Sequence, residues 1–320
     1  MKAITFLLAT LLIVSQCAHA QITFQNSSIT ASTLMASSFI SDNEGWLADN
    51  NDKLWHTANA GLTWDSTSIE NTFLKLDFID ALNGFALSSS AAYKTTDGGH
   101  TWSQPSLPGG IGKGLYFFDI QTGFISSYKQ VYKTTDGGIT WTTISTDETS
   151  FVDFYFVNSS TGIAAANDDE SSKSIWRTTD GGLTWSNVYN RPKYIVNSIC
   201  FTNENIGFAV GCYDQIGEGC EPEILETTDG GLTWKEVYRN PEIIRPGESL
   251  IDIRFGNSQE GVAISNYSES VYTIDGGSTW YRFYEDETVG LPSLQPLYKT
   301  IGGHSDLYIA GQLGYVVKWK

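Results

Sequence analysis

The residues best equipped for chemistry in this 320-residue chain are carboxylates gathered in its second half. Asp168, Asp169 and Glu170 stand together, Asp214, Glu218, Glu221 and Glu223 follow, and Glu285, Asp286 and Glu287 form a third group. Tyr213, Tyr238, Arg239, Arg245 and Tyr284 lie among them. Paired carboxylates can act as acid and base on a glycosidic bond when a fold sets their separation. They can also ligate cations or steer a partner, while tyrosine and arginine supply binding energy where they are desolvated. Asp168-Asp169-Glu170 lacks the ordered ligand spacing of a calcium loop, so no metal and no cofactor is assigned. His56, His100 and His304 lie in different segments, and none sits in a Ser-His-Asp or Cys-His context.

A second set of carboxylates is periodic. Thr95-Thr96-Asp97-Gly98-Gly99-His100-Thr101-Trp102 recurs around Asp136, Asp180, Asp229 and Asp275, and a degenerate copy places Asn59 before Gly61 and Trp64. Asp-Gly-Gly between β-rich runs supplies the positive φ and the side-chain acceptor that a tight hairpin turn needs. These residues are therefore expected to be structural, spread around a rim instead of converging on a substrate.

The elements that position both sets follow from the repeat. Ahead of each turn stands a small-apolar landmark, Gly45-Trp46, Gly84-Phe85, Gly123-Phe124, Gly162-Ile163, Gly207-Phe208 and Gly261-Val262, and ahead of that another apolar run such as Phe151–Phe156. Each repeat thus holds four short strands, the composition of a propeller blade. Leu307-Tyr308-Ile309-Ala310-Gly311 and Tyr315-Val316-Val317-Lys318 begin a further blade, and Ile22-Thr23-Phe24 matches Ile139-Thr140-Trp141 as its missing last strand. The expectation is an all-β, seven-bladed β-propeller of four-stranded antiparallel blades, its ring closed by an N-terminal strand.

The repeated Thr-Thr-Asp-Gly-Gly-x-Thr-Trp after a Gly-aromatic strand resembles the Asp-box, or bacterial neuraminidase repeat, superfamily. It looks most like the photosystem II assembly-factor branch of bacterial propellers, a branch defined by architecture more than by one activity. The resemblance also admits a glycoside hydrolase, since sialidases and two-propeller xyloglucanases share the box. Sialidases hold a substrate carboxylate with three arginines, the first ahead of the first box, whereas the earliest arginine here is Arg177. The xyloglucanase cleft lies between two propellers, and this chain has length for one.

Function is expected where the repeat departs from itself. Gly162 to Trp185 and Gly207 to Trp234 are longer than their counterparts, as are the links from Trp234 to Gly261 and from Trp280 to Leu307. In an up-and-down blade these expansions, Asn167–Ser174, Cys212–Glu223, Tyr238–Ser249 and Tyr284–Pro296, emerge on one face as loops, opposite the box turns. Loops on a rigid scaffold carry binding. A solvated acidic surface is the plain alternative.

The formal net charge of −17 disfavours nucleic acid and anionic membranes. Lys2, the apolar Ala3–Val14 and Ala18 and Ala20 before Gln21 compose a signal peptide over 1–20, with Cys17 leaving a lipoprotein variant open. The domain is then 21–320, secreted or periplasmic, with no later run of roughly 20 apolar residues to insert in a membrane. In such a compartment Cys212 and Cys220 are placed to form a disulfide, free thiols being the alternative. The expected function is a non-catalytic binding or assembly scaffold for a protein or glycan; the alternative is a glycoside hydrolase using the acidic loops.

Overall fold

The structure is a computed structural model describing residues 27–107, 114–127, 129–144, 150–167, 173–215, 219–242, 248–267, 269–283, 298–303, 307–311 and 315–319. The described residues form antiparallel sheets arranged as the blades of a propeller. In chain order the first complete blade is β2 (Leu34–Phe39), β3 (Gly45–Asp49), β4 (Lys53–Thr57) and β5 (Asp65–Ser68). Next come β6 (Lys75–Phe78), β7 (Gly84–Leu87) and β8 (Ala92–Thr95), then β9 (Leu115–Phe117), β10 (Gly123–Ser127), β11 (Gln130–Thr134) and β12 (Thr142–Ile144). β13 (Phe151–Phe156), β14 (Gly162–Ala166), β15 (Lys173–Thr178) and β16 (Ser186–Asn190) follow, and after them β17 (Tyr194–Phe201), β18 (Gly207–Gln215), β19 (Gly219–Thr227) and β20 (Lys235–Arg239). The last are β21 (Leu250–Phe255), β22 (Gly261–Ser265), β23 (Val271–Thr273) and β24 (Tyr281–Arg282), and β25 (Tyr298–Gly303), β26 (Leu307–Gly311) and β27 (Tyr315–Trp319), which pair with β1 (Ser27–Ser28).

The expectation of seven four-stranded blades is corrected: six blades have four strands, whereas β6–β8 form a three-stranded sheet. Its fourth strand shrinks to a single bridge between Lys94 and Ser103. In the following blade Lys133 pairs with Thr142 and Val131 with Ile144, so the matching position opposite Ala92 is Pro105. Proline has no N–H to donate to that ladder, and the strand stops.

Burial follows position in the blade. Second strands are buried at every residue in β3, β7, β10, β14 and β22, because neighbouring blades cover both their faces, and apart from the hydrogen-bonded Asp49 their residues are small or apolar. Outer strands such as β5 and β20 are largely exposed and polar. In six blades the glycine opening the second strand lies under the phenylalanine that ends the first: a Cβ on Gly123 would stand 2.3 Å from the Phe117 ring. That is the physical content of the Gly-aromatic landmark.

The Asp-Gly-Gly turns are hydrogen-bonded alike. Asp136 Oδ1 accepts from Thr134 Oγ1 at 2.9 Å and Thr140 N at 2.8 Å, and its Oδ2 accepts from Thr140 Oγ1 at 2.6 Å. Asn59 keeps the arrangement with one polarity reversed, its Nδ2 donating to Thr63 Oγ1 at 2.8 Å. Bonds from the Thr101 hydroxyl and backbone N–H lower the Asp97 carboxyl to about 2. The turns also join blades: Lys94 Nζ donates to Gly137 O at 2.8 Å, Lys133 Nζ to Gly181 O at 2.7 Å and Arg177 Nε to Gly230 O at 2.9 Å.

At the chain ends, β1 pairs with β27 through Ser27↔Val316 and Ser28↔Tyr315. Ile22-Thr23-Phe24, expected as that strand, lies outside the described residues. Phe39 stacks on Tyr308 at 4.4 Å, joining the last blade to the first. Deleting residues 21–28 bares the outer ladder of β27 and is expected to lower the thermal midpoint by about 2–5 °C. An unchanged midpoint in calorimetry would show that this pairing adds no stability.

Candidate functional site

Two places converge functional side chains: the outer half of the β17–β20 and β21–β24 blades, and the central axis. At the first, the Cys212–Glu223 expansion is not a loop. β18 and β19 are each 9 residues long and pair without interruption from Gly207↔Thr227 to Gln215↔Gly219, so the extra residues lengthen a hairpin. Cys212 and Cys220 are disulfide-bonded across it with Cα atoms 5.6 Å apart.

Register then decides which side chains meet, because residues two apart share a face. Tyr194, Tyr213 and Glu221 form one cross-strand row, and Gly211, Glu223 and Arg239 form the adjacent row. The Arg191 guanidinium lies 4.6 Å from the Tyr213 ring centre and pairs with Glu223 and, at 3.6 Å, with Glu236. Arg239 reaches Glu221 at 3.4 Å and Glu236 at 3.3 Å. Burial raises Glu223 to about 7, with Arg191 opposing the shift.

On the other face, the Tyr238 hydroxyl donates to the buried Glu269, which also accepts from Asn240 Nδ2 at 2.6 Å and Arg282 Nε at 3.0 Å. Burial and then the Glu269 bond hold the Tyr238 phenol well above its ordinary value. Between β20 and β24 a cavity of about 370 Å³ is lined by Tyr238, Arg239, Asn240, Trp280, Tyr281 and Arg282, with Tyr272. Of the expected contact residues, the structure thus brings Tyr238 and Arg239 to one groove and Tyr213 to the adjoining blade face. Asp168, Asp169, Glu170, Arg245 and Tyr284 lie outside the described residues.

Sequence reasoning missed the central axis. A cavity of about 370 Å³ is enclosed by the first strands of successive blades, with Lys75, Asp77, Tyr116, Asp153, Tyr155, Asp252 and Arg254 among its lining. The signal was present: in three blades the positions one and three before the phenylalanine that ends the first strand line this cavity. They read Asp77 and Lys75, Tyr155 and Asp153, and Arg254 and Asp252 in three of the blades, with Cys200 and Ser198 at the equivalent places in β17.

Ser198 Oγ stands 3.1 Å from Asp153 Oδ2 and 3.0 Å from Asp252 Oδ1, bridging two carboxylates with one hydroxyl hydrogen. Asp153 also accepts from Ile199 N at 3.1 Å and faces Lys75 Nζ at 3.6 Å. Burial works to lower Arg254, but Asp252, Cys200 and Asp153 outweigh it and hold the guanidinium above its ordinary value. Asp77 Oδ2 accepts from Phe117 N at 2.6 Å, yet burial raises its carboxyl to about 7, against the pull of that bond and of Arg254.

Because the folded value lies above the unfolded one, Asp77 keeps its proton in the fold and contributes stability below about pH 4 that is lost as pH rises through about 7. Asp77→Asn retains an acceptor for Phe117 N without the charge. It is expected to equal the parent at pH 4 and exceed it by on the order of 2 kcal/mol at pH 8 in urea titrations. A difference independent of pH would refute this assignment.

In repeat and in fold the chain resembles propellers of the photosystem II assembly-factor type. A family model described as photosynthesis system II assembly factor YCF48 matches residues 65–192. A solved YCF48 bound to a D1 peptide is similar at 20% identity over 91% of this chain and 94% of that one, with a TM-score of 0.68. YCF48 from Cyanidioschyzon merolae is similar at 18% identity over 91% and 96%, also at 0.68. The GH74 xyloglucanase from Xanthomonas campestris shares 12% identity over 92% of this chain but only 53% of its own, at 0.68, a likeness of fold alone. The comparison with curated proteins finds no match.

Proposed function

We propose that this chain is an exported, non-catalytic scaffold that captures an extended polypeptide segment on the outer groove of the β17–β20 and β21–β24 blades. The observation that carries this reading is the groove itself: Tyr281 is 43% exposed, Arg239 is exposed, and Trp280 lines it beside Tyr238 and Arg282, both of which Glu269 holds in place. Rigid aromatic and arginine side chains beside a concave surface are the usual anchors of a protein partner. The net charge of −17 favours a neutral or basic segment. The peptide in the similar YCF48 structure is a precedent for this use of the fold. The signal-peptide pattern over 1–20, with cleavage before Gln21, supports a scaffold that works in the periplasm or outside the cell.

The test is capture from native envelope or medium by the mature chain, followed by hydrogen exchange on the complex. Tyr281→Ala is expected to weaken capture at least tenfold with little change in thermal midpoint, because its side chain is at the surface. Protection confined to the Asp-Gly-Gly turns would overturn the reading. Retention of a glycan by the parent and its loss in the variant would keep the groove but change the ligand class.

A further inference from the structure

We propose that the Asp-Gly-Gly turns of the β9–β12, β13–β16 and β17–β20 blades form a second interaction surface, which takes a polypeptide segment combining basic and apolar side chains. The residue between Gly-Gly and Thr-Trp is apolar and exposed in all three: Ile139 at 79%, Leu183 at 57% and Leu232 at 53%. The turn itself does not call for an apolar side chain at this place. Its shaping bonds run among Thr134, Asp136, Gly138 and Thr140, and His100 and Ser278 occupy the same position in two other turns. A single exposed leucine is ordinary, whereas a run of them on neighbouring turns marks a surface that contacts something.

The three turns are neighbours by direct bonds. Lys133 Nζ donates to Gly181 O and Arg177 Nε to Gly230 O, so each turn is tied to the blade before it along one arc. The turns between first and second strands share this face, since Gly137 N donates to Gln121 O, Gly181 N to Ser160 O and Gly230 N to Asn205 O. Ile120, next to Gln121, is also exposed and adds a fourth apolar side chain.

Charge selects the occupant. Asp136, Asp180 and Asp229 each stand three residues before the exposed apolar one. The hydroxyl of the threonine that follows, Thr184 or Thr233, is the largest influence on Asp180 and Asp229 and lowers both carboxyls to about 2; Thr140 lowers Asp136 in the same way. All three are therefore ionised throughout the physiological range, and Asp119 and Glu204 add exposed carboxylates on the adjoining turns. The nearby cations are engaged: Lys94, Lys133 and Arg177 hold turn carbonyls, and Lys235 pairs with Glu226 at 2.7 Å. Apolar side chains fringed by fixed negative charge complement a segment in which leucine-like and lysine-like residues alternate. An anionic lipid surface or the same face of a second copy would meet repulsion.

The test is titration of the mature chain with a short synthetic amphipathic peptide of leucine and lysine, and with its leucine–glutamate counterpart. The lysine peptide is expected to bind with a Kd of about 10 μM, weakening as salt rises, and the glutamate peptide to give no saturable signal. The triple variant Ile139→Ser, Leu183→Ser, Leu232→Ser keeps every charge, so it separates this surface from general attraction to an acidic protein. It should weaken the lysine peptide at least tenfold with little change in thermal midpoint, because the three side chains are exposed. Unchanged affinity in the triple variant, or no saturable binding by the parent, would overturn the proposal. So would self-association in sedimentation, or flotation with phosphatidylcholine vesicles, that the triple variant abolishes, since the occupant would then be a second copy or a lipid surface. Tyr281→Ala should leave lysine-peptide affinity unchanged; a loss there would assign the peptide to the outer groove instead. Capture at that groove is read from Tyr281→Ala alone, so either reading can fail without the other.

Discussion

Replacing Gly277 by valine is expected to lower the stability of the fold by about 3 kcal/mol or more, among the largest effects of any single substitution in the chain. Two costs combine. Gly277 has φ of 87°, a conformation in which a β-branched residue is strained. A Cβ there would also stand 2.4 Å from Cζ and 2.5 Å from Cε1 of Phe208, a fully buried ring on the neighbouring blade. Phe208 cannot move aside, because it stacks on Phe255 at 4.7 Å and meets Trp280 edge-on at 6.0 Å. Ser278→Ala, one residue on and in an exposed setting, removes only a local bond to Asp275 O and is expected to change stability by less than about 0.5 kcal/mol. Urea unfolding of the two variants checks the contrast. If valine costs no more than alanine, the blades do not pack through the turn glycine.

The same geometry explains what the sequence made legible. The turn motif reads clearly because every contact that shapes it is local: Thr134, Asp136, Gly138 and Thr140 bond one another within a few residues. Strand order within a blade reads equally well, since each strand pairs with its neighbour in the chain. Three features resisted because they depend on register. Pro105 ends a strand only when it is opposite Ala92, and that alignment becomes visible once Lys94 is paired with Ser103. The Cys212–Glu223 segment looked like a loop by length alone, but its residues continue an existing ladder, and a hairpin tolerates paired insertions of this kind without disturbing the blade. The central cavity draws its lining from six blades, at most a few residues from each, so no stretch of chain contains enough of it to form a motif. Lys75, Asp153 and Asp252 become a cluster only when the repeats are laid over one another from the strand-ending phenylalanine.

Arg282→Met is expected to cost about 3–5 kcal/mol, since it removes the cation from a carboxylate with no exposure to solvent. Arg282 donates to Glu269 Oε2 through both Nε and Nη2 at 3.0 Å, while Glu269 Oε1 takes the Tyr238 hydroxyl and Asn240. Glu248, also fully buried, brings a second carboxylate within 3.4 Å of the Glu269 backbone N–H. Methionine fills much of the volume of the arginine stem, so the loss reports charge more than packing. The discriminating variant is the double substitution Glu269→Gln with Arg282→Met. The glutamine amide still accepts from Tyr238 and Asn240 through its carbonyl and carries no charge, so the pair should recover at least half of the single-variant loss in urea unfolding. An additive result would mean that Arg282 stabilises the blade through its stem. Recovery would instead show that this ion pair holds Tyr238 and Asn240 in the groove wall, and peptide capture by the double variant at low temperature then tells whether the wall needs the charge or only the shape.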